Sequence, residues 1–189
     1  MPAKIRRVVT GHNEKGESVI LFDGDALNLL LFPGWPGAGA TDLWVTSESP
    51  ADNSGMQDRG ARPFKHDPDE QGTIFRIVEL PPDREGGLRS DGVDKIFDAM
   101  ASENKPSAKD RVRHPTMHVT DSIDYLVVIS GELTMIMDVG EVTLKPGDCI
   151  VQRGTRHGWA NRGDKPVILA AILIDAKGVA AAHASASAA

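Results

Sequence analysis

Apolar and polar positions alternate with a period of two along most of the chain, and each alternating run ends at Gly, Pro, Asn or Asp. Runs of this kind are half-buried β-strands, because successive side chains of an extended backbone point to opposite faces. The pattern predicts strands near KIRRVVTG, SVILFDG, NLLLFPG, DLWVTSE and TIFRIVEL, and a denser set after residue 115: TMHVTD, DYLVVISG, ELTMIMDVG, EVTLKPG, DCIVQRG, HGWANRG and PVILAAILI. Many short strands separated by turn signals every ~8–12 residues indicate an all-β antiparallel sandwich or barrel.

One stretch keeps a different period. In SDGVDKIFDAMASEN the apolar Val93, Ile96, Phe97 and Met100 fall three and four residues apart after a candidate cap at Ser90 or Asp91. This predicts a single inserted helix over about residues 91–104. Loop-like flanks place it outside the strands, at the mouth of the barrel. The polar, turn-rich stretch from Ser47 to Gly72 reads as surface, with His66, like His12, an exposed loop residue. Residues 1–176 read as a single domain, and 177–189 as an Ala-rich, disordered tail that gives His183 no role.

Composition narrows the class of function. A net charge of −6 and a pI near 5.5, with no extended basic stripe, argue against nucleic acid as a partner. The longest apolar run, VILAAILI, is 8 residues, far short of the ~20 a membrane-spanning helix needs. No secretory leader is recognisable at the N-terminus, so a cytoplasmic protein is expected. The lone Cys149 allows no intrachain disulfide, and its setting in DCIVQ reads as core. Walker loops, dinucleotide-binding glycine patterns, Cys-x-x-Cys pairs and nucleophile elbows do not occur, which removes nucleotide-binding and serine-hydrolase readings.

The chemistry-bearing residues gather in the second half. His118 and Thr120 share a face of one extended stretch, and Asp124 opens the next strand. His157, Trp159 and Asn161 share a face of another strand, so a second histidine is available to meet the first group. Gln152 and Arg153 precede the His157 turn, where Arg153 is placed to clamp a carboxylate or phosphate. Trp159 suits the wall of a pocket, and His114, ahead of a proline, is expected to be extended at a strand edge.

Over about residues 112–174 these positions resemble the two motifs of the cupin superfamily. His118 stands at the first histidine of motif one, Asp124 at its glutamate and Gly131 at its closing glycine; Gly147, Gly154, His157 and Asn161 follow motif two. Fifteen residues separate Gly131 from Gly147, a spacing normal for the family. Thr120 replaces the second histidine, Asp124 shortens the glutamate, Val112 replaces the opening glycine, and VQRG shortens the usual proline-bearing turn.

The resemblance implies a double-stranded β-helix, or jelly-roll, barrel with N-terminal flanking strands and the one inserted helix. It also implies a small-molecule enzyme with a divalent ion (Fe, Mn, Ni or Zn) held by His118, Asp124 and His157, of isomerase, lyase or dioxygenase type. Two alternatives stay open: a metal-free barrel that binds a small ligand, and a metal-free dehydratase or isomerase using His118 and His157 as acid and base. Thr120, Gln152, Arg153 and Trp159 are the expected pocket residues, and a homodimer is the expected assembly.

Overall fold

The computed structural model describes residues 2–83, 88 and 90–178, with the backbone alone at 90 and 91. A hairpin of β1 (Arg6–His12) and β2 (Ser18–Asp25) precedes the main body. A six-stranded antiparallel sheet then follows the order β3 (Asn28–Leu31), β4 (Gly39–Thr46), β5 (Thr73–Leu80), β11 (Val167–Asp175), β6 (Ser122–Ser130) and β9 (Cys149–Arg153). Facing it is a three-stranded sheet of β10 (His157–Ala160), β7 (Leu133–Met137) and β8 (Glu141–Leu144). Helix α1 (Ser90–Ala99) and the short α2 (Ala108–Arg113) lie between β5 and β6 in the chain.

Alternation decides which side of each strand is dry. In β11, Val167, Leu169, Ala171 and Leu173 are buried, while Ile168, Ala170 and Ile172 between them are only half-buried. Register carries that alternation across the sheet. Ala171 stands beside Leu126 of β6 in the core, whereas the next position joins Phe75, Ile172, Tyr125 and Val151 in one outward row over four strands. Leu133, Met135 and Leu144 of the smaller sheet close the core from the other side.

Two turns depend on glycine. Gly131, at φ 78°, leads from β6 into β7, and a Cβ there would lie 2.7 Å from the Pro166 carbonyl oxygen. Gly147, at φ 92°, follows Pro146 in the turn closed by the Asp148 N–H on the Lys145 carbonyl (2.9 Å), the arrangement of a type II turn.

Several expectations are corrected. TMHVTD does not form a strand of its own: residues 116–120 cross to β10 by one isolated bridge at His118. A second helix, α2, occupies part of what reads as loop, and a capping box starts it. Ser107 accepts the Asp110 N–H while the Asp110 carboxylate accepts the Ser107 N–H. Helix α1 packs its apolar face on the strands: Val93, Ile96 and Phe97, with Met100 just beyond the helix, are buried in the main core. Cys149 is exposed: it shares the outward face of β9 with Val151, and Gln152 takes the inward place. The Ser90 and Asp91 side chains and residues 179–189, His183 included, lie outside what the structure describes. No helix among the described residues is long and apolar enough to cross a membrane.

Candidate active site

The first functional pair is built by backbone pairing. The His118 N–H donates to the His157 carbonyl and the His157 N–H to the His118 carbonyl, both at 2.9 Å. Residues that exchange both bonds across an antiparallel pair stand directly opposite, with side chains on one face. The imidazole rings accordingly lie 4.4 Å apart between centroids. Thr116 extends the pairing by accepting the Trp159 N–H (3.0 Å) through its hydroxyl.

Each ring is fixed at Nδ1. That of His118 donates to the Thr116 carbonyl (2.8 Å), and that of His157 lies 2.9 Å from the Thr155 carbonyl. A carbonyl oxygen only accepts, so His118 carries its proton on Nδ1 and a lone pair on Nε2, whereas at His157 Nδ1 the Thr155 carbonyl, an acceptor, competes with the Gln152 amide nitrogen, a donor. The Gln152 amide nitrogen, 2.8 Å from His157 Nδ1, braces the second ring, and its Oε1 accepts the Thr155 N–H (3.2 Å). Burial pushes the His157 imidazole down to about 4, and the same cause, with His157 and His66 nearby, holds His118 well below the usual histidine range. Both rings are therefore neutral at neutral pH, each with a basic nitrogen.

His66 completes a cluster that strand periodicity did not reveal. Its ring lies 5.2 Å from that of His118 and 5.2 Å from that of Phe97 on α1. The residue arrives there because its backbone is clamped twice. Its N–H donates to the Met100 carbonyl at the end of α1 (2.7 Å), and its carbonyl accepts from the Arg76 guanidinium (3.2 Å). Arg76 is itself held by Asp42 (2.6 Å) in a fully buried ion pair and also takes the Lys65 carbonyl. His66 Nδ1 faces the Ser102 hydroxyl (3.1 Å) and Asp67 (3.3 Å). The expectation of an exposed loop histidine is thus corrected. The one available signal was an Arg in the middle of the apolar strand TIFRIVEL, which demands a buried acid and carbonyls from a neighbouring segment.

These side chains border a cavity of about 140 Å³. Its polar part is formed by His66, His118, His157, Thr120 and Asp124; its apolar walls include Trp35, Phe97, Leu126 and Trp159. Trp159 packs edge-on to His157 at 5.3 Å. Asp124 is buried, its Oδ1 has no hydrogen-bond partner, and burial raises its carboxyl to about 6 against the opposing pull of the Ser122 hydroxyl and His66. The Thr120 hydroxyl accepts from Ser122 (3.1 Å).

The other expected residues take different places. Gln152 stands behind His157, and Arg153 points outward from β9 and is exposed, so it clamps nothing in the cavity. His114 is extended, as expected, but it ends α2 and bonds Thr116 (2.9 Å). Asn161 ties structure together: its amide donates to the carbonyls of Leu80 and Lys165, both at 2.9 Å.

A divalent ion on His118, Asp124 and His157 is tested by this geometry. Nδ1 tethering to carbonyls and the unpartnered Asp124 oxygen are features that metal ligands share. The arrangement is not. Among the described residues no three His, Cys, Asp or Glu side chains come together as an ion would require. The expected ligand set does not fit an ion as it stands.

Comparison with known proteins adds context to this geometry. A family model described as a cupin domain matches residues 108–174. Two similar proteins are the cupin-domain-containing oxidoreductases fogC of Aspergillus ruber and srdD of Neurospora crassa, each 28% identical. The fogC match covers 94% of this chain and 75% of that protein, and the srdD match 93% and 78%. A shorter match, 57% identical over 47 residues, is to phomopsin biosynthesis cluster protein C' of Diaporthe leptostromiformis, covering 24% of this chain and 25% of that one. Among solved structures, a cupin 2 conserved barrel domain protein from Salinispora arenicola aligns with a TM-score of 0.38 at 14% identity, over 74% of this chain and 76% of that one.

Proposed function

The chain belongs to the cupin superfamily, and from that premise we propose a cupin-type enzyme that moves protons on a small organic molecule held in the cavity beneath α1. The observation that carries this reading is the His118–His157 pair: two neutral, buried imidazoles 4.4 Å apart, both bordering the cavity and both fixed at Nδ1. One Nε2 takes a proton from the substrate's carbon or hydroxyl, and the imidazolium it becomes returns that proton at a second position. The net result is isomerisation or, when the returned proton goes to a leaving hydroxyl, dehydration.

Asp124, at about 6, alternates between carboxyl and carboxylate near neutral pH and orients the substrate's polar edge. The two long relatives are named as oxidoreductases, which supports the enzyme reading in general. We assign the working form to a cytoplasmic homodimer with no role for nucleic acid. The outward apolar row of Phe75, Ile172, Tyr125 and Val151 supports self-association, and the net charge of −6 opposes phosphate backbones.

The test is exchange with heavy water. Hydroxylated or enolisable ring ketones incubated with the protein should take up deuterium at carbon, and His157→Gln should abolish the uptake. Uptake that is undiminished in His157→Gln, or absent from every compound in such a panel, would contradict the proposal.

A further inference from the structure

We propose that the cavity selects a neutral, ring-sized molecule bearing a hydroxyl group, and that it turns organic anions away. This rests on the reading above that the cavity is where the substrate sits. Size comes first. About 140 Å³ is close to the ~150 Å³ of an engineered apolar cavity that takes up benzene, so one ring fills it. The walls agree: Phe32, Trp35, Phe97 and Trp159 offer aromatic faces and edges to a flat guest.

Charge settles the second half. Among the described residues, Arg76 is the one Arg or Lys in the cavity wall. Its charge is matched by Asp42, and its N–H groups go to Asp42 and to the carbonyls of Lys65 and His66. A carboxylate or phosphate entering the cavity would therefore find no arginine or lysine free to pair with, and would meet Asp124 instead. An unpaired anion in such a dry setting is strongly disfavoured.

Two wall residues also carry polar atoms without partners: Asp124 through Oδ1, an acceptor, and Trp35 through its indole N–H, a donor. Buried groups of this kind call for a partner, and a hydroxyl on the guest can donate to the first and accept from the second.

Three probes of similar size separate the possibilities: 4-methylphenol, toluene and benzoate, measured with the full chain at pH 7.5 by calorimetry and thermal shift. The expected order is 4-methylphenol first, toluene at least about tenfold weaker for want of the hydrogen bond, and no binding of benzoate. In Asp124→Ala the advantage of 4-methylphenol over toluene should shrink severalfold. Benzoate binding as tightly as 4-methylphenol, or no binding by any of the three, would overturn the inference, and the wild-type order decides even if the variant fails to fold. The readout is binding alone, so it stands or falls separately from proton transfer: a loss of deuterium uptake leaves the probe order untouched, and the reverse.

Discussion

His118 and His157 stand directly opposite each other, exchanging backbone hydrogen bonds of 2.9 Å in both directions, with imidazole centroids 4.4 Å apart. Their spacing is thus set by main-chain pairing, which a side-chain substitution leaves in place. His157→Gln should keep the fold, judged by an unchanged circular dichroism spectrum, while lowering kcat on any turned-over substrate by about 10²–10⁴-fold. A loss of less than about tenfold would show that the ring is not the base.

Burial acts in opposite directions on the acid and the bases. Asp124 is raised to about 6, so its folded state is favoured while protonated, and this contribution is lost as pH rises from about 4 through 6. His157, lowered to about 4, favours the neutral form, so its contribution is present above about 6.5 and is lost as pH falls through 4. Replacing Asp124 with Asn removes the first effect alone. The melting temperature of Asp124→Asn relative to wild type should climb between pH 4 and pH 7, by an amount corresponding to about 3 kcal/mol at most. A difference that stays flat over that range would rule out a carboxyl of raised pKa.

The Asp42–Arg76 pair holds the segment that delivers His66. Arg76→Met leaves Asp42 buried and uncompensated, and should cost about 3–5 kcal/mol in urea unfolding. Adding Asp42→Leu to that variant should restore much of the loss, because no lone charge remains. The double variant should still weaken catalysis, since the carbonyls of Lys65 and His66 lose their clamp.

Self-association through the outward sheet face is checked by sedimentation. Tyr125→Glu introduces a charge in the middle of the row that runs from Phe75 to Val151. It should convert a dimer to a monomer at micromolar concentration with little change in the melting temperature at high dilution. A wild-type protein that sediments as a monomer throughout would remove the homodimer.

Much of this architecture was legible because burial on one face forces a period of two. β11 and β6 announce themselves in VILAAILI and DYLVVIS, and the spacing of His118, Asp124, Gly131, Gly147, His157 and Asn161 placed the paired strands and their turns. What stayed hidden has physical causes. His66 lies in a segment with no repeating period, positioned by a buried ion pair between two other strands. In DCIVQ Cys149 and Val151 face outward, while Ile150 packs on the core and the polar Gln152 faces in because it braces His157. Helix α2 carried a readable sign, Ser107 three residues ahead of Asp110, but it is too short for periodicity to show. Arg153 follows Gln152 on a strand, so with one facing in the other had to face out.

A chelator should have little effect on stability. Because the expected ligands do not converge, dialysis against EDTA should leave the melting temperature within about 1 °C, where loss of a tightly held ion would lower it by several degrees.

The state of the two histidines themselves is the central claim, and long-range ¹H–¹⁵N spectra of the imidazoles read it without a substrate. Both rings should be neutral at pH 7, His118 with its proton on Nδ1, His157 should stay neutral until about pH 4, and added Zn(II) should leave both Nε2 signals in place. Imidazolium signals at pH 7, a His118 proton on Nε2, or a stoichiometric shift of both Nε2 signals on adding Zn(II) would contradict the account.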